Sequence, residues 1–200
     1  NTYTTITTYK EDFNMSNLPP NFFTVHAAAT YPSMDIDIRW IRSIHVNQNG
    51  WSDVGYHYFI KRDGTVEQGR PEHRIGAHVL NHNTKNIGIC LVGGLKEGTQ
   101  EPEDNFTDAQ YRSLTELLTE LHRRYPVAVV MGHNEFSGHH NRGCPCFDIE
   151  SYREYLREAW NSLYLPSDWM EHDWKKGIPI EWNQPSSIYD GIPNTPRKSD

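Results

Sequence analysis

Hydrophobic and polar positions along the chain predict strands and helices in alternating order. Short apolar runs rich in β-branched and aromatic residues are typical of buried strands, whereas apolar residues recurring every three or four positions are typical of amphipathic helices. The predicted strands are residues 22–26, 56–60, 65–68, 87–92 and 127–131, and the predicted helices are 37–49, one after Thr107 and one after Asp148. The order strand, helix, hairpin, strand, helix, strand, helix predicts an α/β fold.

Turn and cap residues mark several of these boundaries. Asp63 followed by Gly64 is a strong hairpin signal between the second and third strands. Gly50 is expected to end the first helix. Thr107 and Gln110 have the spacing of a capping box, and Asp148 can cap the last helix.

Composition narrows the functional classes. The chain has 200 residues, of which 36% are hydrophobic, and this is enough for one domain with a real core. The longest apolar runs fall well short of the about 18 residues that a transmembrane helix needs, so we expect no transmembrane segment. The net charge of −7 argues against nucleic acid as the main partner, because such binding depends on clustered Lys and Arg.

Two histidines and a cysteine are candidate metal ligands. His26 ends the first predicted strand and His133 follows the last one, and α/β sheets usually place their sites at such strand ends. Cys144 lies at the far end of the loop that begins at His133. Catalytic zinc commonly has three protein ligands and leaves a fourth position for water. The set therefore predicts a hydrolytic zinc site.

Rival ligands lie in the same loop. His139, His140 and Cys146 could replace one of the three, or could form a structural site together with Cys144. Such tight spacing leaves little room for four ligands to converge tetrahedrally, so we favour the catalytic site. The third cysteine, Cys90, falls in a predicted strand and is expected to be a small core residue. Three cysteines make no disulfide framework and suit a reducing compartment.

The two ends of the chain differ from its middle. We predict an N-terminal extension over residues 1–20, a catalytic domain over 21–164 and a C-terminal extension over 165–200. The last segment is rich in proline but carries three tryptophans, Trp169, Trp174 and Trp182. Because tryptophan is rarely left exposed in a disordered arm, we predict that residues 166–182 pack on the domain.

Five motifs, in family order, carry a resemblance to a known family. They are residues 25–30, 53–58, 60–66, 76–78 and 144–148. Together they resemble the zinc-dependent N-acetylmuramoyl-L-alanine amidases, which include phage endolysins of the amidase type and the peptidoglycan-recognition proteins. The resemblance spans roughly residues 22–160 and is strongest to the short phage lysozymes of this class.

The resemblance implies a fold, a metal and site residues. It implies a single α/β domain with a central mixed β-sheet flanked by helices, and Zn²⁺ held by His26, His133 and Cys144. It implies that Tyr56 lies beside the metal and that His78 lines the substrate groove. The family has a cationic residue, commonly Lys, two positions before the cysteine ligand. Here that residue is Arg142, which can stabilise an oxyanion but cannot transfer a proton as Lys might.

The resemblance also implies a function. The expected reaction is hydrolysis of the amide bond between N-acetylmuramic acid and L-alanine in peptidoglycan, by a monomeric phage-type endolysin that lyses bacteria. No signal peptide is visible at the N-terminus, so we expect synthesis in the host cytoplasm and action on the cell wall. The alternative is a recognition module that binds peptidoglycan without cutting it. Such modules typically lack the cysteine ligand, so Cys144 favours the enzyme. Some phage lysozymes of this class also bind RNA polymerase, which is a further alternative.

Overall fold

The computed structural model describes residues 17–161, which form a five-stranded sheet with helices packed against it. The strands are β1 (Phe22–Ala27), β2 (Tyr58–Ile60), β3 (Val66–Gln68), β4 (Asn86–Leu91) and β5 (Val129–Gly132). The helices are α1 (Ile38–Arg42), α2 (Asp108–Arg124) and α3 (Ile149–Asn161), with a π-helical turn at Ser43–Gln48 and a 3₁₀ turn at His133–Glu135. None of these helices is both long enough and apolar enough to cross a membrane.

The sheet is mixed, as the resemblance implied. Its strand order is β3-β2-β4-β1-β5. The strand β1 lies between β4 and β5 and is parallel to both, β2 is parallel to β4, and β3 forms the antiparallel edge. The predicted hairpin joins β2 to β3, and Gly64 adopts a left-handed φ of +87° in its turn. The predicted α/β fold is therefore confirmed.

Successive side chains of the central strands point to opposite faces of the sheet, so that one face is apolar and the other is polar. Phe23, Val25 and Ala27 of β1 lie in the main core, where they pack with residues of α2 and α3. The side chains between them, Thr24 and His26, point to the opposite face of the sheet because successive strand residues alternate. Both are buried, so the polar face is covered as well. The sheet thus presents His26 to a buried polar layer.

Helix α2 confirms the capping-box prediction. The Thr107 hydroxyl accepts a hydrogen bond from the Gln110 N–H, and the Gln110 side chain accepts one from the Thr107 N–H. Asp148 similarly accepts the Ser151 N–H at the start of α3. Both helices begin where a local polar side chain satisfies the free N–H groups of the first turn.

The first helix differs from its prediction in its winding. It begins after Asp37 and ends near Gly50, as expected, but its second half is π-helical rather than α-helical. The Asn49 N–H donates to the carbonyl of Ile44, five residues earlier. The buried His45 in this turn accepts the Gly55 N–H through Nδ1 at 2.8 Å. The wider turn therefore accompanies a long-range contact that the local pattern could not show.

Two strand boundaries also differ from the prediction. The strand expected at residues 56–60 is regular only from Tyr58, and the strand expected at 127–131 is shifted to Val129–Gly132. Val127 remains 78% exposed at the turn before it. Cys90 is fully buried, as predicted.

The predicted extensions fall mostly beyond this range. Residues 165–200, including the arm predicted at 166–182, lie outside the described residues, as do residues 1–16. The division at residues 20 and 164 therefore stays a prediction. Asn17 is fully buried and its side chain accepts the Asn86 N–H at 2.8 Å.

Candidate active site

Three of the predicted site residues converge at one end of the sheet. One nitrogen of His26, one nitrogen of His133 and the Cys144 sulfur all lie within 4.8 Å of one another. All three residues are buried, with exposed fractions of 1%, 8% and 5%. Among residues 17–161, this is the one group of three or more His, Cys, Asp or Glu side chains spaced to hold a metal ion.

Sheet register brings the two histidines together. Strands β1 and β5 are parallel neighbours in which Val25 pairs with Gly132. His26, within β1, and His133, directly after β5, are the next residues along the chain, and their ring centroids are 4.6 Å apart. The placement thus follows from parallel pairing of two strands that are distant in sequence.

The loop after β5 returns Cys144 to the same point. The Asn134 N–H donates to the Cys144 carbonyl at 3.1 Å and closes the loop at its base. Glu135, at the start of the loop, forms an ion pair with Arg153 of α3 and accepts the Gly132 N–H. Burial alone would raise the pKa of Glu135, but these partners outweigh it and hold the pKa below its usual value. The base of the loop is therefore fixed from both sides.

The two loop cysteines occupy different environments. Cys144 Sγ accepts the Ala27 N–H at 3.2 Å and lies 3.9 Å from His26 Nδ1. Cys146 is fully buried in the main core, where its sulfur lies close to Gly94. His140 is exposed and bonds to the Asn134 carbonyl. The rival four-residue site built from the loop therefore does not converge.

Burial controls the charge of the three candidate ligands. It is the largest cause that lowers the pKa values of His26 and His133 well below the ordinary histidine value, and the Arg142 guanidinium adds to this at both rings. Both rings are therefore neutral near pH 7 and can offer a lone pair. Burial also raises the pKa of the Cys144 thiol to about 12, so a cation is needed to hold the thiolate. Two imidazoles and one thiol match the preferred donors of zinc, so the residues present fit this metal.

Hydrogen bonds fix which nitrogen of His26 faces the site. His78 Nε2 lies 3.0 Å from the Asn86 carbonyl, which can only accept, so Nε2 carries the hydrogen. His78 Nδ1 is then an acceptor, and His26 Nε2 lies 2.9 Å from it as the donor. Burial lowers the pKa of His78 to about 3, so this ring is neutral near pH 7. His26 Nδ1 is left with a lone pair directed towards Cys144.

The structure places the other predicted residues around the same point. The Tyr56 ring centroid lies 5.2 Å from that of His26, and the residue is 7% exposed. Tyr56 also packs in one cluster with the buried Cys90. Arg142 is half-buried and close enough to lower the pKa values of both His26 and His133. His78 is only 6% exposed and contacts His26 directly.

Sequence reasoning missed the contact made by His139, which it considered only as a rival ligand. Its Nδ1 lies 3.1 Å from His133 Nε2, and its ring is 5% exposed. The signal in the sequence was the unusually polar loop of His139, His140 and Asn141 between two ligand candidates.

Comparisons with known proteins agree with this geometry. The sequence profile of the N-acetylmuramoyl-L-alanine amidase family matches residues 16–147. The endolysins of Enterobacteria phage K11 and Escherichia phage T7 are each 45% identical to the chain over 130 residues, which is 65% of this chain and 83% of each endolysin. The structure of the N-acetylmuramoyl-L-alanine amidase LysC from Clostridium intestinale is similar, with a TM-score of 0.59 and 29% identity over 70% of this chain and 87% of LysC. Since the family profile covers well over half of the sequence, the chain belongs to the N-acetylmuramoyl-L-alanine amidase family.

Proposed function

We propose that this chain is a zinc-dependent endolysin that cleaves the amide bond between N-acetylmuramic acid and L-alanine in peptidoglycan. The observation that carries the proposal is the buried group of His26, His133 and Cys144, whose ligand atoms lie within 4.8 Å of one another. Family membership and the phage endolysin relatives support the reaction and the substrate. The donor set supports zinc as the metal.

Each ligand has a defined part in this proposal. His26 and His133 would hold the ion through Nδ1, because their Nε2 atoms are engaged by His78 and His139. Cys144 would hold it as a thiolate, which the Ala27 N–H also stabilises. When bound, zinc supplies a Lewis acid and lowers the pKa of water towards about 7, which gives a nucleophile near neutral pH.

Two further side chains are proposed to stabilise the transition state. Negative charge grows on the carbonyl oxygen when the amide is attacked, and preorganised donors lower the energy of that state. The Tyr56 hydroxyl and the Arg142 guanidinium are the candidate donors, since both residues lie beside the ligand histidines. Arg142 contributes charge and not proton transfer, because a guanidinium does not deprotonate in proteins. The predicted groove role of His78 is retained, alongside its contact with His26.

The role of Arg142 can be tested by comparing Arg142→Lys with Arg142→Ala. We expect the lysine variant to keep much of the activity, because a cation remains on the loop. The alanine variant should lose substantially more, approaching the about 10²-fold cost of a lost oxyanion donor. Initial rates on purified peptidoglycan measure both, and Arg123→Ala, an exposed arginine on α2, is the control for a general loss of charge. Equal rates for the alanine and lysine variants would show that Arg142 is only a solvated loop residue.

One experiment tests the proposed function as a whole. Purified protein is incubated with peptidoglycan, with and without a chelator, and the new chain ends are identified by mass spectrometry. The proposal requires that free L-alanine amino groups and free lactyl carboxyl groups both appear, and it requires that the chelator stops their formation and zinc restores it. Binding to the wall without new chain ends would instead support the recognition module.

The same site supports the remaining expectations on partners and location. Because one chain supplies all three ligand side chains, the proposed catalytic centre is complete in a monomer. The relatives that are 45% identical to the chain include phage endolysins, so the wall is the proposed place of action and the host cytoplasm the proposed place of synthesis.

A further inference from the structure

We propose that His139 is a positioning residue that holds the His133 ring in the tautomer and orientation needed to bind the metal. This inference rests on the proposed zinc site. It assigns to His139 a role that acts through His133, without contact to the metal or to the substrate.

The hydrogen bonds of His139 define the tautomers of both rings. His139 Nε2 lies 3.2 Å from the Leu80 carbonyl, which accepts only, so the hydrogen of the neutral ring is on Nε2. His139 Nδ1 therefore accepts, and the His133 Nε2–H at 3.1 Å is its donor. The hydrogen of His133 is then on Nε2, and the Nδ1 lone pair is the one that remains for a ligand.

The same arrangement occurs independently around the other histidine ligand. His26 Nε2 is 2.9 Å from His78 Nδ1, and His78 Nε2 is 3.0 Å from the Asn86 carbonyl. Each ligand thus donates to a second histidine, which in turn donates to a backbone carbonyl. His78 and His139 lie in different loops but form the same series of hydrogen bonds. This supports the same positioning role for both residues.

Both chains of hydrogen bonds end on one short segment. The terminal carbonyls belong to Leu80, in the stretch between β3 and β4 that also carries His78, and to Asn86, the first residue of β4 at the end of that stretch. The Asn83 side chain accepts the N–H groups of His78 and Val79, which fixes the start of this stretch. A single segment therefore orients both imidazole ligands, and His139 is the link through which it reaches His133.

Because His139 is itself buried against His133, it can hold the His133 ring in one orientation. The His139 ring is 5% exposed and lies 4.8 Å, centroid to centroid, from the His133 ring. Partners that fix the tautomer and orientation of a ligating histidine typically contribute about 10–100-fold to metal affinity. We expect His139 to contribute within that range.

The test compares His139→Phe with His139→Asn. Phenylalanine keeps an aromatic ring at this position but removes the acceptor. Asparagine shortens the side chain yet keeps an oxygen at the position of Nδ1, so it can still accept from His133, although the bond to Leu80 is lost. The matched control is His140→Phe, which changes the neighbouring, exposed histidine.

Zinc affinity is measured by competition with a chelator, and cobalt(II) absorption reports the coordination geometry. We expect the phenylalanine variant to bind zinc about 10–100-fold more weakly than the wild type. The asparagine variant should recover most of that loss and give a wild-type cobalt spectrum, and His140→Phe should match the wild type in both. Thermal unfolding of the metal-free proteins shows whether each variant is folded.

Two outcomes would overturn the proposal. If His139→Phe binds zinc as tightly as the wild type, His133 needs no such partner. If the phenylalanine and asparagine variants are equally weak, the loss comes from the Leu80 contact or the loop, and not from the acceptor. Either result leaves the proposed zinc enzyme intact, whereas failure of the wild-type chain to bind zinc would overturn the proposed function itself.

Discussion

Replacing Cys144 by alanine should remove both the bound metal and the hydrolytic activity. The sulfur is the one anionic donor of the proposed set and lies 3.9 Å from His26 Nδ1. Loss of a partner that only orients a ligand already costs about 10–100-fold in metal affinity or activity, so loss of the ligand itself should cost more than about 10²-fold. Metal content after dialysis and rates on peptidoglycan measure the two effects.

Cys146→Ala is the matched control for this variant. It removes the same thiol two residues away, but Cys146 is fully buried and is not one of the three side chains whose ligand atoms converge. We expect it to lower the melting temperature through the cavity it leaves, while zinc content stays at the wild-type level. Full zinc and activity in Cys144→Ala, with losses in Cys146→Ala, would exchange the roles of the two cysteines.

Replacing Tyr56 by phenylalanine should reduce turnover severely while zinc stays bound. The hydroxyl is proposed to donate to the carbonyl oxygen in the transition state, and loss of one such donor costs about 10²–10³ in rate. Tyr56 is not one of the three ligands, so metal content should not change. Turnover at saturating substrate in the zinc-loaded variant is the measurement.

Tyr58→Phe provides the comparison. Tyr58 lies two residues further on, and its hydroxyl hydrogen-bonds to Glu72, which is paired with Arg124 of α2. This change should affect stability and not turnover. If Tyr56→Phe is as active as Tyr58→Phe, then Tyr56 serves to pack against Cys90 and His26, and the catalytic assignment is wrong.

Local signals in the sequence predicted much of the fold. The capping box of Thr107 and Gln110 depends on residues three apart, and the structure has both of its hydrogen bonds. The π-helical turn could not be predicted in this way, because it accompanies the contact between His45 and the Gly55 N–H. Strand lengths were less accurate for a similar reason, since pairing with β4 sets where β2 becomes regular.

For the site, motifs indicated which side chains to expect but not how they are oriented. His26, His133 and Cys144 were predicted as ligands, and they lie together. The tautomers of the two histidines depend on carbonyl oxygens of Leu80 and Asn86. Every residue has a backbone carbonyl, so the sequence pattern does not show which carbonyl accepts a hydrogen bond. The contact between His139 and His133 is therefore seen only in the three-dimensional structure.

The hydrogen bond from the Asn134 N–H to the Cys144 carbonyl holds the two ends of the intervening loop together, so the loop is closed at its base. The entropy of closing such a loop changes only with the logarithm of its length, by about 0.6 kcal/mol for each doubling. Residues in the middle of the loop can thus be gained or lost over evolution at small thermodynamic cost, without displacing His133 or Cys144, the proposed ligands at its two ends. The middle of this loop is therefore where homologous chains can differ in length. A designer could insert residues there, provided that His139 keeps its position in the loop.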